Sequence, residues 1–341
     1  MKSVLLLGAA ITFALAGNPA SADTLQTVKD RGFLLCGVST GNPGFSAPND
    51  KGDWKGFDVD LCHAIAAAVF GDGSKVKYVP LTSKVRFTAL SSGEVDVLAR
   101  QTTWTSSRDT SLGLIFPAIY FYDGQGFMVN SKNLPDVKSA KDLSGATVCT
   151  LTGTTAELNM SDWFRANKIE FTPLVFEKLE ELNAAYDSGR CDVYTDDMSQ
   201  LYGIRLTLSS PPDHAVLPEV ISKEPYSLGV RQGDDKWMNV VKWTNFALLD
   251  AEEYDITQAN VEEMKGSSNP DIKRMLGQEE GTTIGSDLGV ANDYVVNILK
   301  AVGNYGEIFE RNIGKDSPVK MERGRNALWT NGGLLYAPPI R

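Results

Sequence analysis

Apolar positions along the chain switch between two spacings, and that switching organises the first hundred residues. Residues 33–38 form a short, almost continuously apolar run, as a strand buried on both faces does. A Gly/Pro loop follows at Gly41-Asn42-Pro43-Gly44. Beyond Gly56-Phe57, Leu61, Ile65 and Val69 recur at helical spacing, with Asp58 as the predicted N-cap and Gly71 as the stop. Residues 76–80 and 95–99 read as further strands, and 85–91 as a short helix between them. This βαβαβ order implies a parallel sheet with right-handed crossovers.

The pattern then begins again. Segments 146–150, 170–175 and 192–195 are strand-like, and helices are predicted over 155–167 and 179–188. Two such units in succession suggest two lobes. The extended stretches 126–130 and 226–231 flank the second unit and are the predicted hinge strands. Lobe 1 is assigned to 23–126 and 230–341, and lobe 2 to 127–229. Trp237, Val240, Val241, Thr244 and Leu248 mark a further amphipathic helix, whose apolar stripe is read as core. The fold class is α/β, with two lobes joined by two hinge strands. A ligand cleft is expected between them, at the C-terminal ends of the parallel strands, where open α/β sheets bind ligands.

Composition narrows the partners. The 341 residues suit roughly two domains. Lysines and arginines total 33 against 43 acidic residues, a net charge of −10 with no basic block, which argues against nucleic acid or an anionic membrane surface as the main partner. At the N-terminus, Lys2 precedes an apolar run over 4–15, and Ala20-Ser21-Ala22 offers an A-x-A cleavage site. Residues 1–22 are therefore the predicted signal peptide, too short in its apolar part to span a bilayer, and a location outside the cytoplasm is expected. Export would let the four cysteines pair, with three connectivities open. There is no CxxC pair, and His63 and His214 are the only histidines, so neither a metal nor a cofactor is expected.

Several ordered segments carry a resemblance. Gly52-Asp53-Trp54-Lys55-Gly56-Phe57-Asp58-Val59-Asp60-Leu61, Trp104-Thr105-Ser106-Ser107-Arg108, Gly153-Thr154-Thr155 and Gly189-Arg190-Cys191-Asp192 resemble the polar amino-acid family of periplasmic solute-binding proteins, which serve ABC importers. The likeness runs from about Thr24 to Met264. Further on, segments 301–311 and 336–341 resemble the C-terminal extension of the general L-amino-acid-binding subgroup, placed here from about 265. The resemblance implies a monomeric receptor, located in the periplasm, that closes on an L-amino acid and delivers it to an inner-membrane ABC permease.

An α-amino acid presents a carboxylate and an ammonium on one carbon, so its receptor needs a guanidinium with backbone donors at one end and an acidic acceptor at the other. Arg108 matches the family's carboxylate-binding arginine, and its planar fork suits that role better than lysine would. Gly153-Thr154-Thr155 opens a helix after a strand, where free N–H groups favour an anion; Thr155 matches the family's contact, and either threonine also suits a cap. Asp197 is the candidate for the ammonium, with Asp196 as the alternative, and Thr103 and the backbone around Gln101 match first-lobe contacts.

Two departures concern the side-chain pocket. Asn42 stands where many relatives carry a stacking ring, leaving Phe45 as a possible substitute. Arg86 and Arg100 are expected to line the side-chain end, where each could receive a carboxylate or amide oxygen. The resemblance, in which relatives that bind acidic amino acids have an arginine matching Arg86, implies glutamate, aspartate or glutamine among the ligands; an internal salt bridge to Glu94 or Asp96 is the competing reading. The rival class is an enzyme on the same fold, such as a cyclohexadienyl dehydratase, with Asp197 as base. No GxSxG elbow, GxxxxGK[ST] loop, HExxH helix or GxGxxG turn after a strand supports it. The lobe assignment pairs Cys36 with Cys62 and Cys149 with Cys191, since a crossed pair would tie the lobes together; four free thiols are the alternative.

Overall fold

The computed structural model describes residues 23–341; the expected signal peptide, 1–22, lies outside the described residues. Leu34–Val38 is the central strand of a first sheet, with Val76–Pro80 and Val97–Leu98 parallel on either side. Its Leu34, Cys36 and Val38 are fully buried. The helix Phe57–Phe70 covers them, and its run of buried alanines, Ala64 and Ala66 to Ala68, lets a second helix pack close on its far side. That second helix is Tyr294–Val302, from the C-terminal extension, which inserts Val295, Ile298 and Leu299 into the same core.

Gly56, rather than Asp58, is the N-cap of Phe57–Phe70. Asp58 lies two residues past the cap, within the first turn: its carboxylate is fully buried and accepts from Tyr120 Oη at 2.7 Å and from Gln101 Nε2. Gly56 has φ +131°, and a Cβ there would collide with the backbone of Phe45.

The second sheet has five strands, in the order Thr172–Phe176, Thr147–Leu151, Val193–Asp197, Gln125–Asn130, His214–Val216. The first three are parallel, and Gln125–Asn130 runs antiparallel to both of its neighbours. Alternate side chains feed two cores: Phe127, Val129, Val148 and Val193 meet Met160 and Phe164 of the helix Thr155–Asn167, while Met128, Cys149 and Tyr194 meet Leu182, Leu201 and Ile204 on the opposite face.

Two strands carry the chain between the sheets. Ile119–Asp123 pairs antiparallel with Glu224–Ser227, in the register Asp123↔Glu224 and Phe121↔Tyr226. The crossings thus fall at Asp123-Gly124-Gln125 and Ser222-Lys223-Glu224. This shifts both predicted hinge strands. Residues 126–130 are an interior strand of the second sheet, and 226–231 divides between the pair with Ile119–Asp123 and a short pair, Val230–Arg231 with Leu114–Ile115. The change of partner is marked by Gly124, where a Cβ would meet Val220 and sit 2.8 Å from the Ser222 carbonyl oxygen.

The disulfides are Cys36–Cys62, joining the central strand to its covering helix, and Cys149–Cys191, joining two neighbouring strands of the second sheet. Their Cα atoms lie 6.3 and 5.8 Å apart, ordinary spans for a bridge. Neither ties one sheet to the other. Among the described residues, no helix is long and apolar enough to cross a membrane.

Candidate functional site

The strand Val97–Leu98 runs out into Ala99-Arg100-Gln101-Thr102-Thr103, at the edge of the first sheet that faces the second. Gln101 adopts φ +39°, a conformation a non-glycine residue holds only when its surroundings fix it. Here the fixing groups are Asp58, which accepts from Nε2, and Asn42, whose Nδ2 donates to Oε1 at 2.9 Å. Burial pushes the Asp58 carboxyl up to about 7 despite those bonds. The next short helix, Ser106–Ser111, is capped by Thr105, whose side chain accepts from the Arg108 N–H. That cap orients Arg108 back toward the loop.

From the second sheet, the strand Thr147–Leu151 ends at Gly153-Thr154-Thr155, and Thr154 caps the helix Thr155–Asn167 by accepting from the Glu157 N–H at 3.1 Å. The first N–H groups of that helix have no acceptor within it and point out of its end. Strand Val193–Asp197 ends on Asp196 and Asp197, both buried. The two strand ends face the Gln101 loop. Between them lies a small polar cavity of about 20 Å³.

Six of the seven expected ligand contacts line this cavity: Arg86, Arg100, Gln101, Thr103, Thr155 and Asp197. Arg108 stands directly behind it, with Nη1 donating to the Thr103 carbonyl at 2.8 Å and its head 5.1 Å from the Phe87 ring. Asp196 also lines the cavity, but its Oδ1 accepts from the Asp197 N–H at 2.9 Å. Asp197 is held by Tyr226 Oη, which donates to Oδ2 at 2.7 Å, while Oδ1 is buried without a hydrogen-bond partner. A buried carboxylate oxygen in that state favours an incoming donor.

Three buried guanidiniums face this acidic side. Arg100 is tethered to the Leu81 carbonyl at 2.8 Å and Ser83 Oγ at 2.9 Å, and burial pulls it down to about 10. Arg86 reaches across to the Gly153 carbonyl at 3.3 Å, and its Nε has no partner. Burial, then repulsion from Arg108 and Arg100, lowers it well below the ordinary guanidinium range. Asp96 is taken by Arg31 instead, so the internal pair considered for Arg86 does not form with that residue. Burial pushes Asp196 up to about 7, and Asp197 rises well above the usual carboxylate range through burial, Glu224, Asp196 and Asp123. The cavity thus offers a guanidinium nitrogen and a carboxyl oxygen that both lack partners, the two kinds of group a zwitterion requires.

Glu224 is the buried residue that sequence reasoning missed. Its carboxylate accepts from Thr103 Oγ1 at 2.6 Å, Thr155 Oγ1 at 2.8 Å, Asn159 Nδ2 at 2.8 Å and Ser222 Oγ at 2.6 Å. Lys223-Glu224-Pro225 carries no motif, and the glutamate reaches the site only because its strand pairs with Ile119–Asp123. Asn42 closes the opposite wall, bonding Gln101 and, across the cleft, Gln200 Oε1 at 2.9 Å. Phe45 does not replace the missing ring; it is buried against Phe57, Phe121 and Tyr226. A larger cavity, about 790 Å³, lies elsewhere, between Tyr122 to Gly124, the helix Met198–Arg205 and residues 319–326, and contains none of the expected contacts. Neither histidine approaches the site: His63 contacts Gly73 and Tyr78, and His214 contacts Tyr186.

Comparison with known proteins identifies the family. Residues 34–260 match the family of bacterial extracellular solute-binding proteins, family 3. The chain is 60% identical to the general L-amino acid-binding periplasmic protein AapJ of Rhizobium johnstonii, over all of both chains. It is 52% identical to the glutamate/glutamine/aspartate/asparagine-binding protein BztA of Rhodobacter capsulatus, again over all of both. Among solved structures, a periplasmic binding protein from Brucella ovis with glutathione bound superposes with a TM-score of 0.93 at 66% identity, covering 94% of this chain and 100% of that one. A polar cleft between two α/β lobes, matched by a family model across both of them, makes the chain a member of the bacterial extracellular solute-binding proteins, family 3.

Proposed function

We propose that the chain is the periplasmic receptor of an ABC importer for L-amino acids, with glutamate, glutamine and aspartate among its ligands. The observation that carries this reading is the pairing of chemistries in one cavity. Arg86 and Arg100 stand within it and Arg108 behind it, opposite an Asp197 oxygen that lacks a donor. The α-carboxylate takes Arg108 and the N–H groups opening the helix Thr155–Asn167; the ammonium takes Asp197; an acidic or amide side chain reaches Arg86 and Arg100. Relatives named for general amino-acid binding and for glutamate, glutamine, aspartate and asparagine support the breadth.

Lobe 1 and lobe 2 then rotate about the two crossings, near Asp123 to Gln125 and Ser222 to Glu224, and the ligand selects the closed form because only there do both lobes reach it. An inner-membrane permease would receive the ligand from a monomeric receptor. An enzyme is the weaker reading, because the relatives of more than half identity are named as binding proteins and both histidines are engaged away from the cavity lining.

Calorimetric titration with the common L-amino acids tests the proposal, run on wild type and on Arg86→Ala. Heats are expected for glutamate, glutamine and aspartate, with recovered ligands chemically unchanged, and Arg86→Ala should cost glutamate more affinity than alanine or leucine. No binding by any amino acid would reject the receptor; equal losses across the panel would place Arg86 in the scaffold.

A further inference from the structure

Thr103 and Thr155 come from opposite lobes, and their hydroxyl oxygens lie 3.5 Å apart on the cavity wall. A carboxylate only accepts, so both hydroxyls donate to Glu224, and both meet the same oxygen, Oε2. Each hydroxyl has a single proton. Once that proton is committed, the remaining lone pairs can only accept, and the two threonines cannot donate to each other or to an anion. Asn159 and Ser222 hold the other carboxylate oxygen, fixing the glutamate in place from the far side.

We infer that Glu224 is a positioning residue that sets the polarity of the cleft, turning Thr103 and Thr155 into paired acceptors for the ammonium of an amino acid. The inference rests on the receptor reading above and sharpens it. A carboxylate brought to those two oxygens would meet lone pairs and a nearby negative charge, so it is directed instead to Arg108 and the backbone N–H groups. An ammonium carries three donors and can give one to each hydroxyl while a third reaches Asp197. The glutamate thereby distinguishes an α-amino acid from a dicarboxylate of the same length. Without it, the threonine hydroxyls are free to turn and donate, and the discrimination falls.

The test compares L-glutamate with glutarate, which lacks only the ammonium and its carbon's stereocentre, on wild type, Glu224→Ala and Glu224→Gln, with a thermal melt for each. Glu224→Ala is expected to weaken glutamate at least ~10-fold while leaving glutarate unchanged or tighter, a split that loss of packing alone would not produce. Glu224→Gln retains an amide oxygen for the threonines, once Asn159 and Ser222 reorient, and should keep glutamate within a few-fold of wild type. Parallel losses of both ligands in Glu224→Ala, or glutamate affinity within twofold of wild type, would overturn the inference. A Glu224→Gln defect as deep as that of Glu224→Ala would overturn it too, since charge alone would then be acting. Wild type that binds no amino acid would instead reject the receptor reading itself.

Discussion

Asp197 shows how a single side chain links this cleft to pH. Burial and then the neighbouring Glu224, Asp196 and Asp123 raise its carboxyl, so the free protein holds a proton there above the ordinary aspartate range. An ammonium beside it favours the ionised form, so binding lowers its pKa and releases the proton. The sign follows from linkage: amino-acid affinity rises with pH until the carboxyl is already ionised in the free protein. Titrations between about pH 5 and about pH 8, a range above the ordinary aspartate value, should show this rise in wild type and lose it in Asp197→Asn, alongside a general loss of affinity. A flat wild-type profile would place the ammonium elsewhere. That Arg108, Thr103, Thr155 and Asp197 gather at one cavity could be expected from the sequence, because each stands in or beside a motif whose residue types a zwitterion would demand. Glu224 was not, because its place depends on a strand pairing between positions about a hundred residues apart in the chain.

Elements decide whether those side chains ever meet. Gly203 lies inside the second-lobe helix Met198–Arg205, and a Cβ there would come 2.5 Å from the carbonyl oxygen of Pro43, in a first-lobe loop. The same seam holds the Asn42–Gln200 bond. Gly203→Ala therefore has two opposed effects. Alanine favours the helix by about 1 kcal/mol over glycine, while the closed seam has no room for it. The variant should melt at or above the wild-type temperature yet bind amino acids at least ~10-fold more weakly, about 1.4 kcal/mol; calorimetry beside a thermal melt reads both, and wild-type affinity would show that the seam does not limit closure. Helices and parallel strands were readable from apolar spacing, and the disulfides from their placement within one lobe each. The hinge was displaced because 119–123 and 125–130 are both extended and largely apolar, so periodicity does not mark where one pairing partner gives way to another.

At the scale of the molecule, the C-terminal extension belongs to the first lobe and braces the crossing. Tyr305 Oη donates to the Tyr120 carbonyl at 2.8 Å, and Asn326 bonds the Tyr122 backbone in both directions, at 2.6 and 3.0 Å. Arg311 pairs with Asp60 at 2.8 Å on the helix Phe57–Phe70. Only the existence of the extension was open to sequence reading, as a likeness of 301–311 and 336–341; its contacts are long-range and leave no periodic trace. In the proposed closure, the second lobe swings onto a ligand carboxylate held beside Arg108. Titration of Arg108→Ala with the amino-acid panel tests that most directly. Breaking a buried charged pair costs on the order of 3–5 kcal/mol, so every amino acid should lose upward of ~100-fold in affinity while the protein stays folded and monodisperse. Binding of all of them within a few-fold of wild type would contradict the shared carboxylate site.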